Sequence, residues 1–214
     1  CHEEGAELVL TNAPVAMRMG EINKLAEAVN APVIGCDVSS NEDVTSLFTK
    51  TMEHFGGGID FVLHSIGMSI NVRKGKHYTD IDYGFNAKSL DISAMSLHRM
   101  LATAMKMDAI NEWGSVVALS YIAAQRVFPD YNEMADAKAL LESVTRSFGY
   151  HYGVKKHVRV NTISQSPVRT TAGSGVKGFD GFMEYAEKMS PLGNASSDEC
   201  ANYIVMMFSD MTRK

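Results

Sequence analysis

Tyr131 and Lys138 stand seven residues apart in the run Asp130-Tyr-Asn-Glu-Met-Ala-Asp-Ala-Lys138. On a helix that spacing falls ~20° short of two turns, so both side chains share a face, ~10.5 Å apart along the axis. A phenol and an ammonium so placed suit a cofactor lying between them. The lysine takes a sugar hydroxyl and the tyrosine is left for the substrate. The nearby cation also favours the phenolate, which predicts a tyrosine pKa lowered towards working pH. An incidental helical Tyr and Lys is the plainer alternative.

The neighbouring elements bear on that choice. Trp113-Gly-Ser-Val-Val-Ala-Leu-Ser-Tyr121 has the pattern of a short apolar strand ending in two hydroxyl residues. Tyr121 thus falls at the carboxyl end of a strand, where open α/β sheets bind ligands. A loop over 122–129 leads to a helix that carries Tyr131 and runs to about residue 152. Residues 157–163 read as the next strand and feed Ser166-Pro-Val-Arg-Thr170. Two strand ends and a helix therefore converge on one crevice.

Elsewhere strands and helices alternate. Strand patterns fall at 6–11, 32–38 and 59–66, with helical periodicity over 16–29, 42–55 and 81–109. Ser39 and Ser40 suit the start of the 42–55 helix, and Gly56-Gly-Gly58 its end. Ser196-Ser-Asp-Glu199 has the form of a capping box. Such alternation predicts an α/β fold, a Rossmann-like doubly wound parallel sheet in one domain over 1–214. Cys1-His-Glu-Glu-Gly5 reads as the last turn of a helix, so the strand and glycine-rich turn that normally open a dinucleotide fold are expected to precede it. The reading is of a fold truncated at both ends, whose missing first strand is central to the sheet. Lacking the phosphate-binding turn, such a fragment can be inactive even where its parent is a good enzyme.

The ordered set Tyr121, Tyr131, Lys138 and Ser166-Pro-Val-Arg-Thr-Thr-Ala172 resembles the enoyl-acyl-carrier-protein reductases of bacterial fatty-acid synthesis. These are divergent short-chain dehydrogenases/reductases. Gly35-Cys-Asp-Val38, Leu63-His-Ser-Ile-Gly67, Leu90-Asp-Ile-Ser93 and Ala137-Lys-Ala-Leu-Leu-Glu142 agree, and the match runs essentially from end to end. Ser120-Tyr-Ile-Ala-Ala-Gln-Arg126 and Ile163-Ser-Gln-Ser-Pro167 are similar to the form found in the Bacteroidetes group. Ser166 stands where many relatives have glycine.

The resemblance implies reduction of an enoyl thioester on acyl carrier protein by NADH. Tyr131 is the implied donor to the thioester oxygen and Lys138 the holder of the nicotinamide ribose. Tyr121 is a second pocket tyrosine, or else a core residue. Asp37 and Val38 match the pair that recognises adenine, and Ser65, Ile66 and Gly67 the segment beside the adenosine and ribose. Val168 and Thr170 match positions that meet the carboxamide and phosphates, and His64 reads as a satisfied core histidine. No basic residue directly follows Thr11-Asn12, which favours NADH over NADPH. A homotetramer is implied as well.

Two rivals remain at this stage. Carbonyl-reducing relatives pair Tyr-x3-Lys with a serine thirteen residues before the tyrosine; here Ala135 and Ala118 occupy those positions. A non-catalytic dinucleotide sensor is the other. Gly173-Ser-Gly-Val-Lys-Gly178 matches G-x-G-x-x-G only literally, and reads as a substrate-covering loop because no strand directly precedes it. Tyr152-Gly-Val-Lys-Lys156 has the commoner Tyr-x3-Lys form and reads as a surface turn.

Composition sets outer bounds. A net charge of −5 gives no sign of a nucleic-acid or membrane surface. Three cysteines lack metal or redox spacing, and Cys36 reads as a small core residue. No apolar run is long enough for a bilayer and no signal peptide is visible, so a cytoplasmic setting is expected. The fourteen methionines read as adaptable core filling, or in part as a lining for an acyl chain.

Overall fold

The computed structural model describes residues 1–18, 20–128, 131–168 and 179–214. They gather into two compact units, residues 1–60 with 99–111 and residues 61–98 with 112–214.

In the first unit, β1 (Leu10–Asn12) and β2 (Val33–Gly35) pair in parallel with Leu10 opposite Val33. The single helix expected over 16–29 is instead two, α1 (Pro14–Met17) and α2 (Glu21–Ala28). Gly20 N-caps α2 at φ 78°, a left-handed backbone that cannot continue a helix. The Ser40 hydroxyl accepts from the Asp43 N–H and starts α3 (Asn41–Phe55), which ends at Gly56 with φ 65°.

The remaining strands, β3 (Ile59–His64), β4 (Ile110–Ser120) and β5 (Arg159–Ser164), form a sheet in the order β3-β4-β5. β4 and β5 are parallel, with Ser115 opposite Arg159 and Ser120 opposite Ser164. Val116, Val117 and Ala118 at the centre of β4 are fully buried, as an apolar run in a parallel sheet requires. Tyr121 follows directly on β4.

Between β3 and β4 the expected long helix is interrupted. A short α4 (Ile70–Arg73), N-capped by Ser69, precedes α5 (Tyr83–Leu90), a π turn (Asp91–Met95) and α6 (Ser96–Met107). Such single-turn π insertions re-aim side chains within a helix. Here Ser93 meets the Met68 backbone, accepting from its N–H at 2.9 Å and donating to its carbonyl at 3.0 Å.

After β4 comes α7 (Met134–Lys156), then β5, α8 (Phe179–Met189) and α9 (Ser197–Phe208). Buried Ala137, Leu141, Val144, Phe148 and Tyr152 recur at helical spacing on α7, which packs on β5 and on the π turn. Residues 152–156 are thus the last turns of α7, and the surface turn expected there is corrected: Tyr152 is buried, and the helix ends only at His157 with φ 57°. Ser196 and Glu199 make the expected capping box of α9, whose Phe208 packs with Val117 and Ile163.

Leu141→Ala empties a fully buried position on the helix that carries Lys138. It is expected to cost about 3 kcal/mol of unfolding free energy, read from denaturant titration.

Candidate active site

Tyr131 is not on the helix. It lies three residues ahead of Met134, the first residue of α7, with its N–H donating to Phe128 O at 3.0 Å. The shared helical face argued from the Tyr131–Lys138 spacing is therefore corrected. Asn132 separates the two at φ 50°, a left-handed conformation that breaks helical register. Its side chain holds that turn, donating to Lys76 O at 2.8 Å and accepting from the Glu133 N–H at 2.8 Å.

The three leading residues nonetheless meet at the end of β4. The Tyr121 and Tyr131 rings lie 5.0 Å apart and tilted by 50°, with Phe128 5.4 Å from Tyr121. Lys138 reaches back from α7, and its Nζ donates to the Leu119 carbonyl at 2.6 Å. Leu119 is two residues before Tyr121, so sheet, loop and helix each bring one candidate side chain to the end of β4.

Burial governs their charge states. The Lys138 side chain is buried, and desolvation pulls its pKa down to about 8. Desolvation, with Tyr121 second, holds the Tyr131 phenol well above its ordinary value, and desolvation raises Tyr121 too. The expected lowering of the Tyr131 pKa is therefore corrected: loss of water around the phenol, then the neighbouring Tyr121, raises it. A phenol kept protonated is a hydrogen-bond donor, which suits stabilisation of a developing oxyanion.

His64 ends β3 and is buried beside this group. Desolvation, then the Lys138 charge, lowers its pKa to about 4, so it is neutral near pH 7. Ser96 donates its hydroxyl proton to Ile92 O at 2.6 Å, so it accepts from His64 Nε2 at 2.8 Å. Ser65 and Gly67 beyond it are exposed and Ile66 is half-buried, leaving the segment open to a ligand. Val168 is half-buried, whereas Thr170, the 173–178 glycine run and the first part of the 171–185 loop lie outside the described residues.

In the other unit, Asp37 Oδ1 accepts from the Ser39 N–H at 2.9 Å and its hydroxyl at 2.6 Å, closing a tight turn. The Val38 carbonyl accepts from Arg99 at 2.6 Å. Cys36 is buried, and burial followed by Asp43 and Asp37 pushes its thiol up to about 11, as befits an inert core cysteine.

Sequence reasoning missed Asn132, Glu133, Ser93 and Ser96. Only the π turn and the 131–133 turn give those side chains their partners, and neither has a clear local signature. Asn before a helix was the one available hint, since asparagine tolerates the left-handed region.

A family model described as Enoyl-(Acyl carrier protein) reductase matches residues 1–214. Enoyl-[acyl-carrier-protein] reductase [NADH] 1 of Rhizobium meliloti (strain 1021) is 33% identical over 98% of this chain and 76% of its own length. The FabI enzyme of Aquifex aeolicus (strain VF5) is 34% identical over 99% and 78%. The crystal structure of the FabI–NADH complex from Alistipes finegoldii superposes with a TM-score of 0.97 at 63% identity, covering 99% of this chain and 75% of that one.

The depressed His64 pKa has a definite sign. Above about pH 6.5 both folded and unfolded imidazoles are neutral; as pH falls from there to about 4, only the unfolded one gains a proton. Stability is therefore expected to fall across that window by up to about 3 kcal/mol more in wild type than in His64→Gln, measured by denaturant unfolding at pH 7 and pH ~4.5.

Proposed function

The chain belongs to the enoyl-(acyl carrier protein) reductase family, and from that membership we propose how its own residues carry the reaction. The activity is NADH-dependent reduction of the trans-2 double bond of an enoyl thioester in fatty-acid synthesis. The observation that carries the residue assignments is the convergence of Tyr121, Tyr131 and Lys138 at the end of β4.

Lys138 fits a ribose. An ammonium has three N–H donors, of which one is directed at Leu119 O, and the buried charge favours hydroxyl partners that replace lost water. Asp37 and Val38 are assigned to the adenine, Ser65, Ile66 and Gly67 to the adenosine and its ribose, and Val168 and Thr170 to the carboxamide and phosphates. When bound, NADH supplies the hydride that reaches the β-carbon of the substrate.

Charge then develops on the thioester oxygen, and the protonated Tyr131 phenol donates to it. Tyr121 packs beside Tyr131 and shapes the pocket on the thioester side. Ala118 is fully buried within β4 at the position where carbonyl-reducing relatives place serine, which supports reduction of the carbon–carbon bond.

Acyl carrier protein is the substrate carrier that this activity implies. A homotetramer in the cytoplasm is the proposed setting, supported by the family resemblance. No helix among the described residues is long and apolar enough to cross a membrane.

With the full-length protein, NADH absorbance is expected to fall on adding a crotonyl thioester and to stay constant with an acetoacetyl thioester. Tyr131→Phe lowers kcat by about 100-fold to 1,000-fold, the usual loss for one oxyanion donor. Ketoacyl turnover alone would overturn the assignment. Because Lys138 is charged only below about pH 8, NADH affinity followed by fluorescence is expected to weaken as pH rises through that value, and Lys138→Met to lose the dependence.

A further inference from the structure

Glu133 is fully buried, yet it takes no part in the chemistry just described. Its Oε1 accepts from Ser69 Oγ at 2.6 Å and lies 3.1 Å from Ser89 Oγ, whose single proton it shares with Phe85 O at 2.9 Å. Oε2 has no hydrogen-bond partner among the described residues. A carboxylate left half-satisfied in the interior is a poor way to stabilise a fold, since a well-packed apolar side chain of the same size does as well or better. Its retention calls for another explanation.

Position supplies one. Glu133 follows Asn132, whose left-handed φ of 50° holds Tyr131 out of the register of α7. A non-glycine residue stays in that region only where its surroundings over-determine it. Four ties fix this turn: Tyr131 N–H to Phe128 O, Asn132 Nδ2 to Lys76 O, Glu133 N–H to Asn132 Oδ1, and the Glu133 carboxylate to the two serines. Only the last is a side-chain anchor on the α7 side of Asn132. It joins the turn to the N-cap of α4 and to α5. Without it, Asn132 is at liberty to relax to ordinary helical angles, extending α7 backwards and swinging the Tyr131 phenol away from Tyr121.

We propose that Glu133 is a positioning residue for Tyr131: locked by Ser69 and Ser89, it maintains the non-helical turn that aims the phenol. The inference rests on the assignment of Tyr131 as the donor to the substrate. Each serine also has a backbone partner that remains when the carboxylate is removed. Ser69 accepts from the Val72 N–H at 3.0 Å, and Ser89 donates to Phe85 O at 2.9 Å.

The test compares wild type, Glu133→Met and Glu133→Gln for crotonyl-thioester turnover, KM for NADH and thermal midpoint. Glu133→Met is expected to melt at or above the wild-type temperature while kcat falls about 10-fold to 100-fold, the scale of loss for an ångström-sized misplacement. KM for NADH stays within about twofold, because Lys138 is held separately through Leu119. Glu133→Gln keeps an acceptor oxygen for both serines and restores kcat to within about threefold of wild type. An unchanged kcat in Glu133→Met overturns the proposal, as does a parallel fall in melting temperature and kcat or a failure of glutamine to rescue. If Glu133→Met does not fold, that too overturns it, and Ser89→Ala then shows whether the carboxylate's contacts affect turnover at all. Full-length wild type without enoyl turnover overturns the active-site assignment itself, a result separable from the others because it involves no variant.

Discussion

The Lys138 ammonium sits in the interior, held to the Leu119 carbonyl, and the surrounding structure is organised by the need to keep it there. Desolvation pulls its pKa from the ordinary 10.5 down to about 8, so burial works against keeping the charge. That penalty is sustained by the packing of α7 against β5, whose buried aliphatic and aromatic face fixes the helix over the strand ends. The same cation helps keep His64 neutral. A poorly hydrated ammonium at the end of β4 is therefore a consequence of the helix–sheet packing, and it favours any ligand that offers hydroxyls in place of the lost water.

Around that cation the site is assembled from elements of different character. Lys138 stands on a long, well-packed helix. Tyr121 follows a strand buried on both faces, and Tyr131 occupies a strained turn between them. The division has a functional logic, since rigid elements place a charge and a ring accurately while a turn allows the donor to be aimed independently. Burial keeps both phenols protonated, so each is a hydrogen-bond donor at rest.

Much of the fold was legible because its signals are local. The Ser40 and Ser196 caps, the glycine stop at Gly56, and the apolar run through Val116 and Val117 all act within a few residues of the elements they define. Errors fell where a local pattern was interrupted by something the pattern does not encode. Gly20 split one helix, a π turn split another, and buried Tyr152 extended α7 through a stretch whose glycine had suggested a turn.

The ordered set of motifs in the sequence brought the tyrosine pair and the lysine together with an alternating α/β pattern, because strand ends, turns and the spacing between them are written locally along the chain. What the sequence did not determine is how they are aimed and charged. Tyr131 leaves the helix because Asn132 finds a partner in Lys76, 56 residues away, and Glu133 is locked by serines 64 and 44 residues away. Its phenol resists ionisation because of burial, which is a property of the packed interior and not of the spacing to Lys138. Periodicity and capping act over a few residues of chain, whereas desolvation and the partners of buried polar groups exist only once distant segments have closed on one another.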